Sequence, residues 1–321
     1  MWDSGDNQAR TQHFQIGVVP VTVTSEMSDL LEQYASLYRH WRVDNPQAGS
    51  IDIQVRRRPF SPWHRRRWEV IANNSKMYEP SRNDEVFPYV EWATNWEVPR
   101  VMPQYLQLHA SSMEVDGAGV IFPGQSGSGK STLTTGLLSR GWRYLCDEFA
   151  LIHAETLTLH PFPRAICVKK PSHPVIESLG LSIHENRNYH KGCKGFVGFV
   201  DPLSVSGDAV GRVCQIRYVI FPKYTAGARP ELIEISKGQA AFDLHEVCFN
   251  LFGCNALGLN VIAEMIRGAQ CYRLVAGEIK STCEVVERLV GSGSRVFRRT
   301  IANDDPVVAT SARAETSNCL V

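Results

Sequence analysis

No stretch of this chain approaches the roughly eighteen consecutive apolar residues that a membrane-crossing helix needs. The nine cysteines, at 146, 167, 193, 214, 248, 254, 271, 283 and 319, include no Cys-x-x-Cys pair and no His/Cys cluster at zinc spacing. A disulfide framework and a structural zinc site therefore have no basis in the sequence. Net charge is missing too: 34 Lys and Arg against 33 Asp and Glu leave +1, so no global field draws the protein to nucleic acid or to an anionic membrane. The first eight residues are polar, without a basic segment leading into an apolar one. These absences set the expectation of a globular, cytoplasmic protein with reduced thiols, several of them in the core, and with no membrane partner.

What the chain does have is 43% apolar residues over 321 positions, enough for a substantial core. The most informative stretch is Gly124-Gln125-Ser126-Gly127-Ser128-Gly129-Lys130-Ser131, two glycines five apart followed by Lys and Ser. Before it, Gly119 to Pro123 reads as a buried strand, and after it Thr132 to Arg140 has helical spacing closed by Gly141. That strand, loop and helix order is the setting a phosphate-binding loop requires. Glycines let backbone N–H groups turn inward on a polyphosphate, and the helix N-terminus adds its positive end. Lys130 is expected to reach the β- and γ-phosphates of a bound nucleotide and the Ser131 hydroxyl to sit on Mg²⁺, with Gly124 to Thr132 as the nucleotide-binding set.

A second signal is Asp147-Glu148, two adjacent carboxylates ending the apolar run Trp142 to Cys146. A nucleotide site needs one acid for Mg²⁺, and a kinase needs one to deprotonate the accepting hydroxyl. Elsewhere, Phe14 to Val23 reads as a strand, Met27 to Trp41 as a helix capped by Ser25, Ile51 to Val55 as a strand and Glu85 to Trp96 as a helix. Tyr105 to Leu108 is a short strand delivering His109, and Met113 to Val120 a hairpin turning at Asp116-Gly117. Segment 184–212 has no clear period and reads as a long loop of the kind that closes over substrates. Arg56, Arg57, Arg58, Arg65, Arg66 and Arg67 could contact a nucleic-acid backbone or an anionic substrate, but in a chain of neutral total charge they read as solvated.

The run from His109 through Gly124 and on to Asp147-Glu148 resembles the catalytic domain of bacterial HPr kinase/phosphorylase. More closely it is similar to the HPr-kinase-related kinases of unknown substrate, through Trp92-Ala-Thr-Asn-Trp96, Ser126 to Leu133, Asp147 to Leu151 and His160-Pro-Phe-Pro-Arg164. The resemblance implies an α/β fold of the phosphoenolpyruvate-carboxykinase/HPr-kinase phosphate-loop type, a mixed twisted sheet flanked by helices. The resemblance covers most of 14–290, an N-terminal strand/helix subdomain at 14–100 and a kinase core at 101–290, while the polar lead at 1–13 and the Gly/Ser-led polar tail at 291–321 read as disordered. The resemblance implies an ATP- and Mg²⁺-dependent kinase in which Asp147 is the base toward a serine-type hydroxyl of a peptide, protein or small molecule. His109 would contact the transferring phosphate or hold that acid in place, Lys130 would bind phosphate, and Glu148, Ser131 and Asp147 would serve the metal. A homo-oligomer is implied as well. Gln125 and Thr132 stand where the family has acids, so the resemblance does not carry the HPr protein or the reverse phosphorylase reaction with it. Two other readings are an ATP-binding sensor that transfers nothing, and a nucleic-acid-associated NTPase built on Arg56 to Arg67.

Overall fold

The computed structural model describes residues 9–58, 68–254 and 257–303, and the side chains of all of these except 193 and 292–303. Arg65, Arg66 and Arg67 lie outside the described residues. Arg58, next to them, is held by Glu69 at 3.3 Å and Glu79 at 3.2 Å.

The N-terminal third forms a six-stranded sheet in the order Arg42–Val43, Arg10–Ile16, Val19–Ser25, Ile51–Arg57, Trp68–Ala72, Ser75–Tyr78. The expected single strand at 14–23 is in fact a hairpin. Gly17 makes its turn at φ 58°, where a Cβ would meet the Pro161 carbonyl oxygen at 2.2 Å, so glycine is required there. Pairing also starts at Arg10, inside the stretch expected to be disordered, because Arg10 to Gln12 add rungs against Val23 to Ser25. The alternation Ile51, Ile53, Val55 buries one face of its strand, each side chain contributing about 1.5–3 kcal/mol. Against that face pack the helices Ser28–Leu37 and Asn83–Val101. The first is shorter than its apolar stripe, which continues into a tight turn at Arg39–Trp41, and Ser25 accepts from the Met27 amide instead of capping the helix.

The second sheet has nine strands and is mixed. Its spine runs Arg143–Cys146, Ala110–Val115, Ala118–Pro123, Cys214–Tyr224, Thr158–His160, Ala150–His153, Tyr105–Leu108. Ala118–Pro123 and Gln270–Ala276 both lie parallel to Cys214–Tyr224, and the other pairs are antiparallel. The hairpin at Asp116-Gly117 forms as its sequence predicts, with both residues at positive φ. Helices Lys130–Leu138 and Ile279–Asn303 cover one face through Leu133, Leu137, Cys283 and Val286, while Lys237–His245 and Gly258–Arg267 cover the other through Leu244, Val261 and Ile262. The last helix runs past Gly291 into the expected tail, its buried Val286 and Val290 carrying it onto the core. No helix among the described residues is long and apolar enough to cross a membrane.

Segment 184–212 is not a plain loop. Tyr189–His190 and Phe196–Val200 join Ile166–Lys169 in a small three-stranded sheet, joined by a turn at Gly192–Lys194. Two-residue and five-residue strands separated by glycines leave too short a period to recognise from sequence. The N-terminal sheet and this small sheet share one apolar cluster with Cys146 and Leu151 of the nine-stranded sheet and with Phe149 between their two strands. At its centre Arg164 pairs with Glu91, and the Tyr38 hydroxyl donates to the same carboxylate at 2.9 Å. Both ends of that ion pair are buried, which ties helix Asn83–Val101 to the strands that carry the site.

Candidate active site

The strand Ala118–Pro123 ends in the loop from Gly124, and the helix Lys130–Leu138 starts from it with Gly129 as an N-cap that makes no side-chain cap. The free end of that helix is thus open toward an anion. Gly127 and Gly129 sit at φ 95° and 98°, the left-handed region that only glycine enters without strain. Lys130 is 6% exposed, and its ammonium folds back to donate to the carbonyls of Gly124 at 2.5 Å and Gln125 at 3.0 Å. Burial holds its pKa below the ordinary lysine value, against the pull of Asp147 and Glu148. The buried Ser128 hydroxyl has no hydrogen-bond partner among the described residues. A loop with a self-capped ammonium and an open helix end is a donor set that a polyphosphate would satisfy.

Asp147 follows the strand Arg143–Cys146, which is separated from the loop strand by Ala110–Val115. The gap is closed by hydroxyls. Ser131 on the loop helix donates to Asp147 Oδ2 at 2.7 Å, and Ser111 on the intervening strand donates to Oδ1 at 2.7 Å. Burial raises the Asp147 pKa to about 6, and the two serine hydrogen bonds hold it from rising further.

Glu148 faces His109 Nε2 at 3.7 Å and Lys191 Nζ at 3.9 Å. Burial alone would raise its pKa, yet Lys191 and then His109 bring it below the ordinary glutamate value. Burial and the nearby Lys130 depress His109 to about 4, so its imidazole is neutral at pH 7. The backbone pins it: the His109 amide donates to Val247 at 2.7 Å and its carbonyl accepts from Gly124 at 3.2 Å. The sequence offered His109 as a contact of the transferring phosphate or as the holder of Asp147. Its carboxylate neighbour is Glu148 instead, because the side chains of Asp147 and Glu148 diverge at the strand end, one toward the serines and one toward the histidine.

Most of these functional side chains open on one cleft of about 880 Å³. His109, Ser126, Gly127, Gly129, Lys130, Ser131, Thr132, Asp147 and Glu148 line it, whereas Gly124, Gln125 and Ser128 shape the loop without reaching its wall. The sequence reading missed Lys191 and Lys194 across the acid pair from the loop, Tyr224 beside the loop, where its amide donates to the Ser128 carbonyl at 3.0 Å, and Ser111 beneath the cleft. Ser111 stands in the His-Ala-Ser-Ser run that carries the resemblance and could have been found there; the lysines sit in segment 184–212, which reads as a loop that closes over substrates without singling them out. Ser131, Asp147 and Glu148 supply hard oxygen donors suited to Mg²⁺, which takes one or two carboxylates and completes its shell with water and phosphate oxygens. No group of three or more His, Cys, Asp or Glu that could hold a metal alone occurs among the described residues. The residues present therefore fit Mg²⁺ bound together with a nucleotide.

No family model matches the chain. Among curated proteins it is similar to the HPr kinase/phosphorylase of Xylella fastidiosa (strain M12), 34% identical over 82 residues that are 25% of each chain. The HPr kinase/phosphorylase of Xanthomonas campestris pv. campestris (strain B100) is 32% identical over 77 residues, 24% of this chain and 23% of the relative. The chain thus spans about a quarter of the length of the curated relatives it matches. Among solved structures, the HPr(Ser) kinase/phosphatase from Coxiella burnetii aligns at 16% identity and a TM-score of 0.31, over 60% of this chain and 98% of that one. By sequence, this chain is HPr-kinase-like over about a quarter of its length.

Proposed function

We propose that this protein is a phosphate-loop kinase of the HPr-kinase type, transferring a phosphoryl group from ATP to a hydroxyl, most simply a serine-type hydroxyl on a peptide, protein or small molecule. The observation that supports the reading is the hydrogen bond from Ser131, the hydroxyl that follows Lys130 in the loop, to the buried Asp147 carboxylate. Bound Mg²⁺ and ATP would supply the phosphoryl group and the charge that neutralises its oxygens. The rest falls to the chain. Lys130 would leave the Gly124 and Gln125 carbonyls and turn its ammonium to the phosphates, Ser131 and Glu148 would hold the cation, and Asp147 would accept the proton of the attacking hydroxyl. A carboxyl whose pKa lies near 6 is ionised at neutral pH and is a stronger base than an ordinary aspartate. Neutral His109 would orient Glu148 without adding charge.

Incubation with γ-labelled ATP and an extract of the source cells, followed by mass spectrometry of the labelled species, tests the proposal and identifies the acceptor. Asp147→Asn is expected to keep nucleotide binding and lose transfer, since it deletes a base and not a phosphate contact. Transfer that persists in both Asp147→Asn and Lys130→Ala would show that the site is assigned wrongly. Nucleotide binding by the wild type with no transfer to any species would favour the sensor instead.

A further inference from the structure

Across the acid pair from the phosphate loop, the turn Gly192–Lys194 brings two lysines to the cleft wall. The Lys191 amide donates to the Gly195 carbonyl at 2.8 Å and its carbonyl accepts from the Lys194 amide at 3.1 Å, so a closed turn sets both side chains. The Lys191 side chain is 3% exposed and reaches Glu148 at 3.9 Å and Cys167 Sγ at 3.4 Å. Both ammoniums lie over the ring of Trp92, at 4.9 Å and 5.4 Å from its centroid. Trp92 is in turn packed against Tyr89 and Tyr78, at 5.5 Å and 6.1 Å. The aromatic face attracts the cations and fixes their position, while leaving their N–H donors to other partners.

The charges around this wall do not balance. Three lysine ammoniums, Lys130, Lys191 and Lys194, line the cleft beside two carboxylates, Asp147 and Glu148, with Lys169 and Glu278 offsetting one another among the other lining residues. Glu148 is the only carboxylate within ion-pair reach of Lys191 among the described residues, and metal binding at Glu148 would draw it away. Buried ammonium groups are expensive without anionic partners. We propose that Lys191 and Lys194, seated on Trp92, form a second oxyanion site facing Lys130, which takes a phosphate-like group. That group is either the terminal phosphate of the nucleotide or an anionic group carried by the acceptor. The inference deepens the kinase reading and rests on it for the nucleotide, though not for the oxyanion itself.

Calorimetric titration of wild type, Lys191→Met, Lys194→Met, the double variant and Trp92→Leu tests it, with circular dichroism confirming each fold. The probes are sulfate, ADP with Mg²⁺, and a non-hydrolysable ATP analogue with Mg²⁺, and sulfate is also titrated onto the analogue-loaded protein. Loss of charge-assisted hydrogen bonds of this kind is expected to weaken sulfate binding about tenfold or more in the double variant, with ADP affinity nearly unchanged. A matching fall in analogue affinity assigns the site to the terminal phosphate. Unchanged analogue affinity with sulfate lost from the loaded protein assigns it to the acceptor. Should Lys191→Met fail to fold, Lys194→Met and Trp92→Leu decide by the same readouts. Variants that bind sulfate and analogue like wild type overturn the oxyanion site, as does a wild type that binds no sulfate and does not distinguish the analogue from ADP. A wild type that binds sulfate through these lysines but no nucleotide would keep the site and overturn the kinase reading.

Discussion

The Ser131 hydroxyl lies 2.7 Å from Asp147 Oδ2, and this single bond joins two segments that the nine-stranded sheet keeps a strand apart. Ser131 stands in the first turn of the helix that follows the phosphate loop, Asp147 at the end of Arg143–Cys146, and Ser111 on the strand between them holds the other carboxylate oxygen. An acid so tethered cannot swing freely into solvent. Its position is fixed before any ligand arrives, and its ionisation is what burial works against.

That cost makes a prediction about stability. Burial raises the Asp147 pKa from an ordinary 3.8 to about 6. The folded protein therefore binds this proton more tightly than the unfolded chain does. The associated stability is fully present below the unfolded value and is lost as pH rises through about 6. Asp147→Asn keeps a polar group for the two serines and never ionises. In metal-free protein the variant should be more stable than wild type at pH 8, by up to about 3 kcal/mol, and show no such advantage near pH 4. Urea denaturation at the two pH values measures this directly, and a variant less stable than wild type at pH 8 would contradict it.

Ser131→Ala separates metal binding from phosphate binding. It removes one hydroxyl from Asp147 and the proposed ligand from Mg²⁺, but no phosphate contact. The affinity for an ATP analogue should fall about tenfold in the presence of Mg²⁺ and change little in EDTA. Lys130→Met should lower it in both conditions, since Lys130 reaches phosphate regardless of the cation. Calorimetry with and without EDTA distinguishes the two patterns; equal losses for Ser131→Ala in both conditions would remove Ser131 from the metal site.

The loop was legible because its residues act locally. Gly127 and Gly129 are needed where they stand for their backbone angles, and Lys130 and Ser131 follow at fixed spacing on the helix they start. Asp147 and Glu148 were visible as two charges interrupting an apolar strand. What the sequence could not show was contact across space: that Glu148, and not Asp147, faces His109, or that Trp92 of one helix lies under Lys191 and Lys194, about a hundred residues further on. Gly17 hid a turn for the same reason, since the atom that excludes a side chain there is the carbonyl of Pro161. The strand and helix patterns named most elements, and the tertiary partners decided their ends.

Arg164 and Glu91 give a third prediction. Both are nearly inaccessible, at 3% and 4% exposure, and the pair connects the helix Asn83–Val101 to the segment before the strand Ile166–Lys169. Among the described residues, Arg164 Nε and Nη1 and Glu91 Oε1 have no hydrogen-bond partner. Removing one member strands the other in the core, so Arg164→Met or Glu91→Leu should each cost about 3–5 kcal/mol. The double variant leaves no buried charge and should cost clearly less than the sum, which a double-mutant cycle in urea would reveal. Additive losses would mean that the two residues act through separate neighbours.

Gly129 tests how tightly the phosphate loop is built. At φ 98° an alanine is strained, and its Cβ would lie 3.2 Å from the Tyr224 Cβ. Gly127, at φ 95°, carries the same backbone demand with no atom within 4 Å of an added Cβ. Gly127→Ala therefore reports strain alone, and Gly129→Ala reports strain plus the contact with the strand Cys214–Tyr224. Each should weaken binding of an ATP analogue, because relaxing φ turns the loop amides away from the phosphates, and Gly129→Ala should weaken it more. The crowding atom is the tyrosine Cβ, so adding Tyr224→Ala to Gly129→Ala should recover nothing. Tyr224→Gly should recover the difference between the two alanine variants while leaving the strain they share. Calorimetric affinities for the two single and two double variants measure this, and recovery by Tyr224→Ala would place the clash on the ring and disprove the backbone account.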